Sequence, residues 1–143
     1  MKNKTLQWAL LFISFAAVSC SKLTLEIGSV GETMAFDRPL IEVKAGASVK
    51  LTLKNNATSA AMLHNWVLVT PGKEAEIAGL GLALGPAQSY LPESPDVLAH
   101  TRMVKPGESD TIEFKAPSTP GSYPYICTFP GHFTTMRGIL EVK

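Results

Sequence analysis

The chain has 143 residues, of which 45% are hydrophobic, enough for one domain with a substantial core. Its 13 lysines and arginines nearly balance 12 aspartates and glutamates, with no basic run, so no nucleic-acid partner is expected. Ten prolines and 11 glycines favour many short strands over long helices.

The first 19 residues have the pattern of an export signal, so they are set aside from the fold prediction. Lys2 and Lys4 precede an apolar run, Leu6 to Val18, that is shorter than the roughly 20 residues of a membrane span. Small residues lead directly into Cys20, which resembles the lipobox of bacterial lipoproteins, where the cysteine is acylated. An ordinary cleaved secretory signal and an uncleaved anchor are the alternatives.

We therefore predict that residues 1–19 are removed and that residues 20–143 form the mature domain. Cys20 would carry a lipid and hold this exported domain on a membrane that faces the periplasm or the cell exterior. Loss of Lys2 and Lys4 changes the net charge from +1 to −1, so long-range electrostatic steering of partners should be weak.

Strands are predicted in chain order from period-2 hydrophobic alternation and turn signals. Three early strands cover residues 23–28, 41–44 and 49–54, each with one buried face. The run His64 to Val69, closed by a Pro-Gly turn, predicts a buried strand that begins at His64.

Residues 73–96 interrupt the strand pattern and predict a flap over one side of the sheets. Lys73 to Leu84 favours a short helix, although Gly79 and Gly81 disfavour a stable one. Four more strands are predicted at residues 97–104, 111–115, 123–127 and 137–142. About eight short strands indicate an all-β fold, a Greek-key β-sandwich with a helix or loop flap.

One loop near the C-terminus carries three metal-type side chains. Cys127, His132 and Met136 supply a thiol, an imidazole and a thioether, and Pro130-Gly131 turns the chain between them. A thiolate and imidazoles with a weak axial methionine are typical of a blue copper site. Taken singly, the cysteine and the methionine would be ordinary core side chains. Together they favour one copper ion as the cofactor.

The fourth donor must come from elsewhere in the chain, as a second imidazole. The sequence offers two other histidines, His64 and His100. Of the two cysteines, Cys20 is used at the signal junction and Cys127 lies between metal-type donors, so we predict no disulfide.

The sequence resembles the cupredoxins, and most closely their azurin and auracyanin branch. His64–Leu68 and Cys127–His132 resemble the two copper motifs of that branch, and Met136–Gly138 resembles its axial-methionine segment. Similar segments at Met34–Phe36 and Val97–Thr101 extend the resemblance over nearly all of the chain after residue 22.

The resemblance implies a complete ligand set. The ligands would be three equatorial residues and one axial residue, namely His64, Cys127 and His132 with Met136. Asn65 would link the two ligand loops through hydrogen bonds, whereas His100 matches a position that is not a ligand. Leu63 stands where azurins have a glycine whose carbonyl lies near the copper, so the Leu63 carbonyl is a further candidate contact. Azurins also carry a structural disulfide near the N-terminus, and this chain lacks both of those cysteines, as auracyanin does.

In function, the resemblance implies a monomeric carrier that passes single electrons between larger redox proteins, such as cytochromes, and catalyses no reaction. The electron port would be the edge of His132 within an apolar patch. The matching patch residues are Met34, Met62, Phe129, Pro130 and Gly131.

Two other classes of function remain as alternatives. A copper oxidase or a nitrite-reductase-type enzyme needs further histidine ligands, and a binuclear copper site needs two cysteines in the ligand loop. A copper carrier or chaperone with a single site remains the alternative to an electron carrier, although the Met- and His-rich clusters that such proteins favour are absent from the sequence.

Overall fold

The computed structural model describes residues 22–143. The predicted signal segment and Cys20 therefore lie outside the described residues. In chain order the elements are β1 Leu23–Gly28, β2 Leu40–Val43, β3 Ser48–Lys54, β4 Val67–Val69, α1 Glu74–Leu84, a short 3₁₀ helix Pro86–Gln88, β5 Val97–His100, β6 Ser109–Lys115, β7 Gly121–Ile126 and β8 Arg137–Val142.

The eight strands form two packed sheets. One has the order β1-β3-β6 and the other the order β2-β8-β7-β4-β5. Two pairs are parallel, β1 with β3 and β2 with β8, and the remaining neighbours are antiparallel. This architecture confirms the predicted β-sandwich of about eight strands with a helical flap.

Alternation along the strands builds the core, as β3 illustrates. Val49, Leu51 and Leu53 point inward and are buried, while the residues between them face partly outward. Full burial of such a side chain stabilises the fold by about 1.5–3 kcal/mol. The same core cluster includes Cys127 and Met136, so the predicted ligand loop is continuous with the hydrophobic core.

Two predicted strands are shorter than their sequence patterns indicated. The strand predicted from His64 begins only at Val67, because the Trp66 N–H donates to the Thr101 hydroxyl at 3.0 Å instead of joining a strand ladder. The strand predicted over residues 97–104 ends at His100. Beyond it, the backbone N–H of Arg102 donates to the Asp110 carboxylate at 2.9 Å, which turns the chain away from the sheet.

The flap contains the predicted helix, which forms as α1 despite its two glycines. Gly81 is required by packing, because a Cβ atom there would lie 2.2 Å from the backbone oxygen of Tyr90. Ile77 is buried on the inner side of the helix, whereas Leu80, Leu82 and Leu84 are exposed. Within residues 22–143, no helix is both long and apolar enough to cross a bilayer.

The sandwich has two distinct ends, and strand direction separates them. β1, β3 and β7 all run toward one end, where the loops that carry His64 and Cys127 follow; we call it the donor end. We call the opposite end, formed by Lys22, residues 44–48 and 115–121 and Lys143, the base. Backbone hydrogen bonds close the base, from Ala45 to Lys143 at 2.9 Å and from Gly46 to Pro117 at 3.0 Å.

Candidate metal centre

Three predicted ligands from distant parts of the chain meet at the donor end. The donor atoms of His64, Cys127 and His132 all lie within 4.8 Å of one another, and all three residues are buried. The Cys127 sulfur is 4.0 Å from Nδ1 of His64 and 3.7 Å from Nδ1 of His132. Both imidazoles therefore turn the same nitrogen toward the thiol.

The backbone of the ligand loop holds Cys127, His132 and Met136 in place. The Cys127 N–H donates to the Met136 carbonyl at 3.0 Å, and the Met136 N–H donates to the His132 carbonyl at 2.8 Å. The His132 N–H donates to the Phe129 carbonyl at 3.0 Å. Gly131, at a φ of 81°, supplies the left-handed turn between them. The loop is therefore closed by its own hydrogen bonds.

His64 is fixed by the segment opposite it. Its N–H donates to the Val104 carbonyl at 3.1 Å, and the Val104 N–H donates back to its carbonyl at 2.7 Å. The buried amide of Asn55 donates to the carbonyls of Met62 and Val104, at 2.7 and 3.0 Å. Asn55, the residue after β3, thus holds the segment that carries His64 and the segment of Val104 that pairs with it.

Asn65 links the two ligand segments, as the resemblance implied. Its side-chain amide donates to the Thr128 hydroxyl at 2.8 Å, and its carbonyl oxygen accepts from the Thr128 N–H at 2.8 Å. Both residues are buried. The pair spans 63 residues of sequence and holds the segment of His64 against the segment of Cys127.

The donor set fits a copper ion by chemistry and by distance. A thiolate with two imidazoles and a nearby thioether matches the soft and borderline ligands of blue copper sites. Metal–nitrogen and metal–sulfur bonds of about 2.0 and 2.3 Å, arranged in a trigonal plane, would place sulfur and nitrogen about 3.7 Å apart. The two observed sulfur–nitrogen distances are close to this value.

Burial sets the protonation of the metal-free site. It raises the pKa of the Cys127 thiol to about 11, against a smaller lowering by hydrogen bonds from the backbone N–H groups of Asn65 and Phe129. Burial, with repulsion from His132, lowers the pKa of His64 to about 4, and burial also lowers the pKa of His132. At neutral pH the residues therefore form an uncharged set, with both imidazoles ready to bind a metal.

Comparison with known proteins agrees with this geometry. Residues 23–143 match the model of the family described as "Copper binding proteins, plastocyanin/azurin family". The chain belongs to the plastocyanin/azurin family. It is a blue copper cupredoxin, with His64, Cys127, His132 and Met136 positioned as a type 1 copper site.

Individual cupredoxins are similar over most of the chain. Auracyanin-A of Chloroflexus aurantiacus is 44% identical over 124 residues, 85% of this chain and 75% of that protein. Azurin of Pseudomonas aeruginosa is 30% identical over the full length of both.

Solved structures agree with the sequence relatives. The structure of auracyanin A, a "blue" copper protein from the same Chloroflexus species, has a TM-score of 0.80 at 43% identity and covers 86% of this chain and all of its own. A dithionite-reduced auracyanin from Roseiflexus castenholzii has a TM-score of 0.78 at 36% identity, and the match covers 84% of this chain and 96% of that one.

The other histidine is not part of this cupredoxin site. His100 is exposed on β5, and its Nδ1 lies 3.1 Å from the Thr101 carbonyl oxygen. It lines a surface groove of about 980 Å³ together with Leu80, Leu84 and Leu91. Of the two histidines that could supply the fourth donor, His64 is therefore the one at the metal site, and His100 is not.

Two residues that support the cupredoxin site were not singled out from the sequence. Asn55 is one, because Asn55-Asn56 reads simply as a polar turn after a strand. Glu32 is the other: its carboxylate accepts from the N–H of Thr58 at 2.6 Å and from its hydroxyl at 2.8 Å. This clamps two loops of the donor end together. A lone asparagine or glutamate in a turn carries no sequence signal for such a role.

Replacing the axial ligand should change the redox behaviour of this cupredoxin rather than its colour. Met136 is fully buried, and leucine fills a similar volume, so Met136→Leu should fold. Loss of a weak donor to Cu(II) and a more apolar site should raise the reduction potential while the blue band persists. Voltammetry measures the change, with Met34→Leu, at an exposed position, as the control. An unchanged or lower potential in Met136→Leu would count against the axial assignment.

Proposed function

We propose that the chain carries single electrons between larger redox proteins outside the cytoplasm, held on a membrane by a lipid on Cys20. The proposal rests on the observation that the four donor residues are buried from solvent and held in place by the fold. His64, Cys127 and Met136 have no exposed surface, and only 5% of His132 is exposed. When bound, copper supplies a one-electron Cu(I)/Cu(II) couple.

The hydrogen bonds of the site support fast electron exchange. The ligand loop is closed on itself, His64 is bridged to Val104, and Asn65 joins the two segments through Thr128. Donor positions that the polypeptide fixes resist rearrangement when the metal changes its oxidation state. A small rearrangement means a small barrier to electron transfer.

The two alternative functions fit the site less well. An enzyme needs an open coordination position or a second metal, yet the donors are buried and they form the one candidate metal cluster within the described part of the chain. A copper carrier must release its ion readily, whereas release here would have to open a buried and hydrogen-bonded loop. The chain is therefore proposed to act as a monomeric carrier of electrons, without enzymatic activity of its own.

The proposed electron port is the exposed edge of His132. The ring of Phe129 packs on its imidazole at a centroid distance of 4.8 Å. The patch residues differ in exposure: Met34 and Gly131 are exposed, whereas Met62, Phe129 and Pro130 are half-buried. Partly exposed apolar groups, with Phe129 directly against the imidazole, suit brief docking of redox proteins, whose interfaces are typically below about 1,200 Å².

A charge placed in this patch should slow electron exchange without altering the copper site. Met62→Lys adds an ammonium group that must lose its water whenever a partner, or a second copy, docks. We expect a slower self-exchange rate with an unchanged visible spectrum. Leu98→Lys, which adds the same charge on edge strand β5, is the matched control and should exchange as the wild type does. Wild-type exchange in Met62→Lys would place the port elsewhere.

The membrane anchor has its own test, because the copper site does not depend on it. Cys20→Ser removes the thiol that would be acylated, so the protein should appear in the soluble fraction or keep its signal segment. The blue absorption should be unaffected. Mass spectrometry of the wild-type protein should find a lipid on Cys20, and wild-type protein without a lipid would refute the anchor.

A further inference from the structure

The described chain begins at the base, opposite the donor end. Lys22 lines the same surface depression as Ser48 and Lys115. From there β1 runs parallel to β3, from Leu23 at the base to Gly28 at the donor end. Strand β3, with seven residues, spans about 23 Å. An anchor attached ahead of β1 therefore holds the domain by the end that is far from Cys127.

We propose that the anchored protein rests its base on the membrane surface and points its donor end away from it. This rests on the proposed function, since it requires both the lipid on Cys20 and the electron port at His132. In this orientation the polypeptide itself fixes the height of the port. The partner would be a protein that docks from the aqueous side, with its own redox centre well above the bilayer.

The short link between anchor and fold excludes the inverted orientation. Only Ser21 and Lys22 separate Cys20 from the first residue of β1. The three extended steps from Cys20 to Leu23 reach about 11 Å, roughly half of the 20 Å length of a six-residue strand. With β1 folded, the donor end cannot turn onto the membrane that holds the lipid. The apolar patch around His132 is thereby kept free for a protein partner.

The charge of the base favours an upright domain over one that lies on its side. Four lysines lie there: Lys22, Lys44, Lys115 and Lys143. Lys22 and Lys143 form ion pairs with strand carboxylates, while Lys44 and Lys115 form none with any residue from 22 to 143. Lysines at a membrane surface are attracted by anionic lipid headgroups.

This orientation determines which electron donors and acceptors can react. Electron tunnelling weakens exponentially with distance, and a domain standing on its base adds about the length of β3, roughly 23 Å, between copper and membrane surface. A redox group confined to the bilayer is then out of range. A protein in the aqueous phase can still reach the edge of His132.

The test uses the copper-loaded, acylated full chain in vesicles of phosphatidylcholine and phosphatidylglycerol. Two one-electron oxidants are compared, ferricyanide in water and a lipid with a ferrocenium headgroup in the bilayer. Each takes one electron from the Cu(I) protein and leaves Cu(II), which is followed by the blue band. A spacer variant carries an additional Gly/Ser segment of about 20 residues between Ser21 and Lys22, with a root-mean-square span of about 25 Å.

We expect ferricyanide to oxidise both proteins at the same rate. The ferrocenium lipid should oxidise the wild type about tenfold more slowly than the spacer variant, whose port can reach the surface. Equal rates with the ferrocenium lipid, in a protein that is blue and acylated, would overturn the orientation and leave the proposed function intact. A protein without the lipid or without the blue band would overturn both.

A charge-reversed variant tests the upright position separately. Lys44→Glu with Lys115→Glu should let the domain tilt, so that the ferrocenium lipid oxidises it several-fold faster than the wild type on vesicles with phosphatidylglycerol. On phosphatidylcholine alone the two proteins should react alike. If both proteins are oxidised at the same rate on the anionic vesicles, Lys44 and Lys115 do not hold the domain upright.

Discussion

Cys127→Ser should abolish the blue colour of the copper-loaded protein completely. The intense band comes from charge transfer between a thiolate and Cu(II), and Cys127 is the sulfur that lies 3.7–4.0 Å from both imidazoles. A serine hydroxyl is a hard, poorly ionised donor and cannot replace it. Visible absorption spectra of the two proteins, taken at equal copper content, measure the effect.

The chain offers a matched control for this substitution. Cys20 is its other cysteine and is not one of the four copper ligands, so Cys20→Ser makes the same chemical change and should leave the band at full intensity. A blue Cys127→Ser protein would show that the thiolate ligand had been assigned to the wrong residue.

Asn65→Leu should cause the largest loss of stability among substitutions of residues that do not bind the metal. It removes two buried hydrogen bonds and leaves the N–H and hydroxyl of Thr128 without their partner. Such unpaired buried groups cost about 1–3 kcal/mol each, so the free energy of unfolding should fall by about 2–6 kcal/mol. Because the two ligand segments also separate more easily, copper affinity should fall about 10–100-fold.

Denaturant titration of the metal-free protein and copper competition with a chelator measure these two effects. Thr128→Ser keeps both the hydroxyl and the N–H, so it should stay close to the wild type in stability and affinity. If Asn65→Leu matches Thr128→Ser in both measurements, the link across 63 residues has no role in holding the site.

The sequence was most informative where several metal-type side chains lie close together in the chain. Cys127, His132 and Met136 lie in a single short loop, so their spacing alone predicts the metal and three of its donors. Assigning His64 needed a resemblance, since no local pattern distinguishes it from His100. The structure then shows His64 buried beside the thiol and His100 exposed on β5.

Strand boundaries near the site could not be predicted, because side chains there compete with the strand ladder. The apolar run from His64 to Val69 has strand propensity throughout, yet the Thr101 hydroxyl takes the N–H of Trp66. The role of Asn55 could not be predicted either. Its hydrogen bonds to the carbonyls of Met62 and Val104 form only when the chain has folded and brought these segments together.

The helix of the flap shows tertiary packing overriding local propensity. Gly79 and Gly81 lower the intrinsic helix propensity of residues 73–84, so local sequence alone disfavours a stable helix there. At Gly81, however, the absence of a side chain lets the helix pack against the backbone of Tyr90. The lower helix propensity of glycine can be read from the sequence. The close packing that requires Gly81 can be seen only in the folded structure.

Repeated redox cycling of one copper-loaded sample tests most directly whether the chain is an electron carrier. The protein is reduced and reoxidised many times while the blue band, the electrons taken up per chain and the bound copper are measured together. A carrier should take up one electron per chain in each cycle, recover the whole band, and keep its single copper ion. Loss of copper from the Cu(I) protein to a chelator during cycling would contradict this account and would identify a protein that delivers copper instead.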